Sequence, residues 1–147
     1  MTATRRFQDI SVGDTLPELV VPITRTLIVA GAIASRDYQD VHHDPVLAKE
    51  RGSKDIFMNI LTTNGLVGRY VTDWAGPGAV LTKVDIRLGM PNYPGDTMTF
   101  HGKVAGVVPP GGDGVPDDRG VVEVGVRGAN ASGDHVTGTV RLTLPAA

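Results

Sequence analysis

From residue 80 onward, apolar side chains recur at nearly every second position, and this period constrains the fold more than any other feature of the chain. Val80, Val84, Ile86, Leu88 and Met90 alternate with Lys83, Asp85 and Arg87. Met98, Phe100 and Val104 alternate with Thr97, Thr99, His101 and Lys103, and Val122, Val124 and Val126 with Glu123 and Arg127. Val136, Val140, Leu142 and Leu144 make a fourth run. A period of two places each set on one face of a sheet. Only Asn130-Ala131-Ser132-Gly133-Asp134 joins the third run to the fourth, and so short a link permits antiparallel pairing alone. Residues 109–120, PPGGDGVPDDRG, have no strand composition and read as a hairpin loop.

The first half has a helical period instead. Thr24 is placed to cap a small-residue helix through Leu27, Ile28, Ala30, Gly31, Ala32 and Ala34 that ends near Ser35. Asp44-Pro45 opens a short helix, Val46 to Glu50, stopped by Gly52. From Ile60 to Trp74, apolar residues at 66, 67, 70, 71 and 74 have the spacing of an amphipathic helix, ended by Gly76-Pro77-Gly78. Gly68 inside it costs about 1 kcal/mol against alanine, which points to a close approach there. The expected class is α+β, one domain over residues 1–147, with an antiparallel sheet wrapped around one long central helix.

Composition narrows the chemistry. The chain has no cysteine, which excludes thiolate catalysis, cysteine-ligated zinc and iron–sulfur clusters. Its 14 Lys and Arg against 16 Asp and Glu are spread without a basic run, so neither nucleic acid nor an anionic membrane is expected as a partner. No apolar run approaches the ~20 residues that span a bilayer, and the start, MTATRRFQDI, lacks a secretory apolar stretch. A cytoplasmic address is expected. No Gly-rich loop follows a strand, so no flavin or nicotinamide cofactor is expected.

The chain has four histidines. His101 and His135 occupy the polar phase of their strands and are expected to face water. His42 and His43 fall in R-D-Y-Q-D-V-H-H-D-P, a loop between two helices that also holds Asp37, Asp40 and Asp44. Loops held by rigid elements are where catalytic groups tend to sit. A metal site fits poorly, because adjacent His42 and His43 would have to diverge to reach one ion and no second ligand cluster exists. Capping and loop bracing is the plain structural alternative. Lys49, Arg51 and Lys54 follow the loop and read as a solvated helix end.

Asp37, four residues, His42 and then His43-Asp44-Pro45, after a helix ending Ser35-Arg36-Asp37, resembles the signature loop of the MaoC-like, (R)-specific enoyl-CoA hydratases. Phe7-Gln8-Asp9-Ile10 with Val12-Gly13-Asp14 resembles their entry segment, and Pro91-Asn92-Tyr93-Pro94-Gly95-Asp96 their turn between strands. SRDYQDVHHD with GSKDIFMNILTTNGLVGRYVTDWAGP is most similar to the small subunit of actinobacterial steroid side-chain enoyl-CoA hydratases. The resemblance implies a hot-dog fold, a coenzyme A thioester as substrate with no cofactor, Asp37 and His42 as the catalytic pair, and a second MaoC-like hot-dog subunit in a hetero-oligomer. Arg36, Gln39, Asp40 and Asn64 depart from the family's Gly, Asn, Pro and His, but Asp37, His42 and Gly65 are kept.

Hydrating the double bond of an enoyl thioester requires an activated water, a proton for the α-carbon and stabilisation of the enolate oxygen. Neutral imidazole can take the water's proton near neutral pH, and Asp37 can orient the same water. Five chain steps can span up to ~17 Å, so the loop must fold back to bring the two together. For the enolate oxygen, Thr63-Asn64-Gly65 is placed in the first turn of the long helix, with the Gly65 N–H as donor. Two other readings stay open: a non-catalytic hot-dog subunit that shapes a thioester pocket for a partner, and a hot-dog thioesterase.

Overall fold

The computed structural model describes residues 3–147. The four alternating runs form strands β2 (Val80–Leu88), β3 (Thr97–Val108), β4 (Arg119–Asn130) and β5 (Gly133–Pro145). A further strand, β1 (Thr15–Pro22), lies outside the sequence-based expectation. Its alternation is hidden by Pro17 and by a register slip between Leu16 and Leu19, which leaves its buried residues Leu16 and Val21 off the period of two. The sheet order is β1-β3-β4-β5-β2, with every pair antiparallel. Arg119 and Gly120 pair with Pro145 and Leu144, so β4 begins two residues inside the segment read as loop.

Among the described residues, three α-helices lie between β1 and β2: α1 (Arg25–Ala34), α2 (Pro45–Glu50) and α3 (Ile60–Ala75). Thr24 Oγ1 accepts the Leu27 N–H at 3.0 Å and starts α1. Asp44 Oδ1 accepts from Val46 and Leu47 and starts α2. The sheet curls around α3, which buries Leu66, Val67, Tyr70, Val71 and Trp74 against it. Phe100, Val104, Val122, Val124, Val140 and Leu142 supply the facing layer, and the Tyr70 ring stacks on Phe100 at 5.2 Å. This is the α+β hot-dog architecture. Each such side chain contributes about 1.5–3 kcal/mol through burial, so α3 is anchored along its length. Among the described residues, no helix is long and apolar enough to cross a membrane.

Two expectations are corrected. A Cβ on Gly68 would meet only Leu81 Cδ1, at an ordinary 3.5 Å. The close approach is at Gly31 instead, where a Cβ would lie 2.2 Å from Thr62 Oγ1, so α1 crosses the first turn of α3 with no room for a side chain. His101 is half exposed beside Glu18, at 3.2 Å, but His135 is buried. The β4–β5 register slips between Gly128 and Ala129, which pair with Val136 and Asp134. His135 is the extra residue of this bulge, and the bulge turns it from the polar phase into the interior.

Candidate active site

α1 ends in a turn that places Asp37. The Asp37 N–H donates to the Ala32 carbonyl at 2.9 Å and the Arg36 N–H to Ile33 at 3.0 Å, a paired closure of the helix end. It requires a left-handed residue at position 36, and Arg36 takes it with φ 56°. The turn brings the Asp37 carboxylate to the start of α3, where Asn59 Nδ2 donates to Oδ2 at 3.0 Å. The Gln39 N–H donates to Oδ1 at 3.3 Å. Asn59's hydrogen bond first, then Gln39 and the nearby His42 and His43, hold this carboxyl below its ordinary value against the opposing effect of burial. Asp37 is therefore an anion at neutral pH.

His42 ends a short 3-10 turn, Asp40–His42, and is buried. Its ring meets Phe57 edge-on at 4.9 Å, and its Nδ1 lies 2.7 Å from the Phe57 carbonyl oxygen. A carbonyl only accepts, so Nδ1 carries a proton, and Nε2 is the ring nitrogen left to face the Asp37 carboxylate. That nitrogen is 3.4 Å from Asp37 Oδ2. The loop thus folds back and brings the His42 imidazole and the Asp37 carboxylate together.

The remaining polar residues of the loop brace it. His43 Nε2 donates to the Asp37 carbonyl at 2.7 Å and its ring stacks on Tyr38. Asp44 caps α2, and Asp40 pairs with Arg51 at 2.7 Å. Lys54 sits over the Tyr93 ring and Lys49 is exposed, so these cations do not converge on one site.

Gly65 does not stand in the first turn of α3. The helix opens at Ile60, with Asn59 as its cap, and Gly65 is an exposed residue of the second turn, where an α-helical N–H is taken by the carbonyl four residues back. Asn59 Oδ1 accepts the Thr62 N–H at 3.0 Å, and the Asn59 carbonyl accepts from Thr63. Ile60 and Leu61 hold the first-turn N–H groups that no helical carbonyl reaches. Asn59 is the site residue that the sequence analysis did not name, although Asn directly before an apolar helix is a favoured cap. Beneath it, Thr63 is 2.8 Å from His135 Nε2, and His135 Nδ1 is 2.7 Å from the Met90 carbonyl. Nδ1 therefore donates and Nε2 accepts from the Thr63 hydroxyl. Burial pushes the His135 imidazole below its usual value, consistent with a neutral ring.

No family model matches the chain. The beta subunit of 3-oxo-4,17-pregnadiene-20-carboxyl-CoA hydratase from Mycobacterium tuberculosis is 51% identical over 133 residues, covering 90% of this chain and 95% of that protein. The chain belongs to the MaoC-like hydratase family. A chain from the crystal structure of the ChsH1-ChsH2 complex of M. tuberculosis superposes with a TM-score of 0.81 at 51% identity, over 91% of this chain and 98% of that one. The unliganded R-hydratase PhaJ1 of Pseudomonas aeruginosa shares the fold at 21% identity, with a TM-score of 0.79 over 95% and 85% of the two chains. A MaoC-like dehydratase from Rhodospirillum rubrum does so at 20% identity, with a TM-score of 0.80 over 96% and 97%.

Proposed function

We propose that this chain is an enoyl-CoA hydratase that adds water reversibly across the α,β-double bond of a coenzyme A thioester, with Asp37 and His42 sharing the acid–base work. The observation that carries this is the 3.4 Å approach of His42 Nε2 to Asp37 Oδ2, close enough for one water to touch both. As the water oxygen attacks the β-carbon, the pair takes one of its protons, and that proton is returned to the α-carbon. The product gains one hydroxyl and one hydrogen, and the pair is regenerated. The electrons pushed onto the thioester oxygen need a donor. We assign this role to the first-turn N–H groups of Ile60 and Leu61, which no helical carbonyl takes and whose cap, Asn59, touches Asp37 directly.

The acyl group is proposed to be a steroid side chain, and the working form a hetero-oligomer with a second MaoC-like subunit. Both rest on the 51% identical relative, which is named as a beta subunit of a steroid acyl-CoA hydratase and whose fold is seen in a two-component complex. The structure supports them physically. The barrel interior is filled by Leu66, Val67, Tyr70, Val71 and Trp74, so a fused-ring group must lie outside it. Ile33, Tyr38, Val46, Ile60 and Leu61 are apolar or aromatic residues of the catalytic-loop region that remain exposed, a surface that a partner would cover.

The test is to purify the chain alone and co-expressed with a MaoC-like partner encoded beside it. Loss of enoyl-thioester absorbance is followed on short and steroid enoyl-CoA, with free thiol measured in parallel. Hydration of the steroid thioester by the complex, without thiol release, is expected. Thiol release in step with substrate loss would make the protein a thioesterase. No turnover by either form would make it a non-catalytic subunit.

A further inference from the structure

We infer that Asn59 is a positioning residue for the hydration proposed above: it fixes the Asp37 carboxylate beside His42. The amide is fully used, and its orientation follows from its partners. Oδ1 accepts the Thr62 backbone N–H at 3.0 Å, which can only donate. Nδ2 donates to Asp37 Oδ2 at 3.0 Å and to Ser35 Oγ at 2.9 Å. Flipping the amide would set oxygen against carboxylate and NH₂ against N–H, so the flipped state is excluded. Ser35 holds its own place by donating to the Gly31 carbonyl at 2.8 Å, leaving a lone pair for Asn59. One buried side chain therefore joins the end of α1, the start of α3 and the catalytic carboxylate.

The consequence is electrostatic as well as geometric. A buried amide donor stabilises the anion and not the neutral acid. From the loop itself, the titratable groups facing Asp37 are His42 and His43. From α1 and α3, its hydrogen-bonding neighbour is the uncharged Asn59, with Ser35 behind it. Removing the amide donor leaves no second side-chain donor on the carboxylate among the described residues, so its proton affinity rises and its rotamer loosens.

Because Ser and Asp cap helices about as well as Asn, Asn59→Ser and Asn59→Asp separate this role from capping. Asp is isosteric and keeps the acceptor for Thr62, and Ser is neutral. The titration of the Asp37 side-chain carboxyl carbon by NMR, in the folded chain, gives a readout independent of turnover. In both variants the midpoint is expected to move to higher pH, and kcat in the active complex to fall roughly 10- to 100-fold with KM little changed. The acid limb of the rate profile should rise with the NMR midpoint. An unchanged Asp37 midpoint in the folded variants would overturn the inference and leave Asn59 as a cap alone. If the midpoint moves but the wild-type complex hydrates no enoyl thioester, the functional reading fails and the electrostatic role of Asn59 stands.

Discussion

Gly31 is where the fold and the site are most tightly coupled. A Cβ added there would lie 2.2 Å from Thr62 Oγ1, 2.9 Å from its Cγ2 and 3.1 Å from its Cβ, where ordinary contact begins at 3.4 Å. The severe contacts are with Oγ1 and Cγ2, and the one with Cβ is tight by only a few tenths of an ångström. In Gly31→Ala, α1 and the first turn of α3 must separate by roughly 1 Å. Asn59 spans this crossing by hydrogen bonds to Ser35 and Asp37, so separation displaces the carboxylate from His42. Overpacking costs about 1–3 kcal/mol, offset by about 1 kcal/mol from alanine's better helix propensity. At about 2–4 °C per kcal/mol for a chain of this size, Tm falls by no more than ~8 °C. The rate is more sensitive: a misplacement of ~1 Å can cost about 100-fold. The assay pairs a thermal melt with enoyl-CoA hydration for Gly31→Ala, Thr62→Ala and the double variant. Thr62→Ala removes Oγ1 and Cγ2, and Thr62 Oγ1 is buried without a partner, so its loss is nearly free. The double variant should recover most of the rate. A Gly31→Ala protein that melts and turns over like the wild type, or a double variant no better than the single, would refute the reasoning.

Arg36 holds a left-handed turn that usually falls to glycine, at a cost of about 1 kcal/mol. Arg36→Gly should raise Tm by about 2–4 °C, and an unchanged or lower melt would show that the arginine side chain offsets its strain. His135 is buried with its pKa below the ordinary 6.5, so the unfolded chain takes up this proton at higher pH than the folded one. Stability from this group is full above about pH 6.5 and is lost as pH falls from there through the lowered folded pKa. Denaturant unfolding across pH should show that decline in the wild type and a flatter profile in His135→Gln; identical slopes would count against a neutral buried ring.

Local features were legible in the sequence because local physics sets them. Thr24 and Asp44 cap their helices where their side chains can reach backbone N–H groups two or three residues on. The apolar stripe of α3 follows from a single period, and β2 to β5 from another. The loop spacing that brings His42 back to Asp37 is equally local. Long-range geometry was not legible. β1 hides behind Pro17 and a register slip, and the bulge at His135 reverses the face of one residue without any change in the pattern around it. Reading Thr63-Asn64-Gly65 as the first turn sets the helix start one turn too late, because that start is fixed by the Asn59 cap on Thr62. Gly31 looked like one more small residue until the crossing with Thr62 was on view, since no periodicity records which neighbour a helix touches.

The most direct test of the account is the hydration rate of Asp37→Asn, His42→Ala and His43→Ala in the active complex, each verified as folded by its melt. Asp37→Asn and His42→Ala should each lower kcat by at least ~100-fold, as expected for acid–base groups. His43→Ala, which loses a brace on the Asp37 carbonyl, should lose less than ~10-fold. If His43→Ala proves the most damaging of the three, or if Asp37→Asn and His42→Ala both keep wild-type rates, the pair is not the catalytic centre.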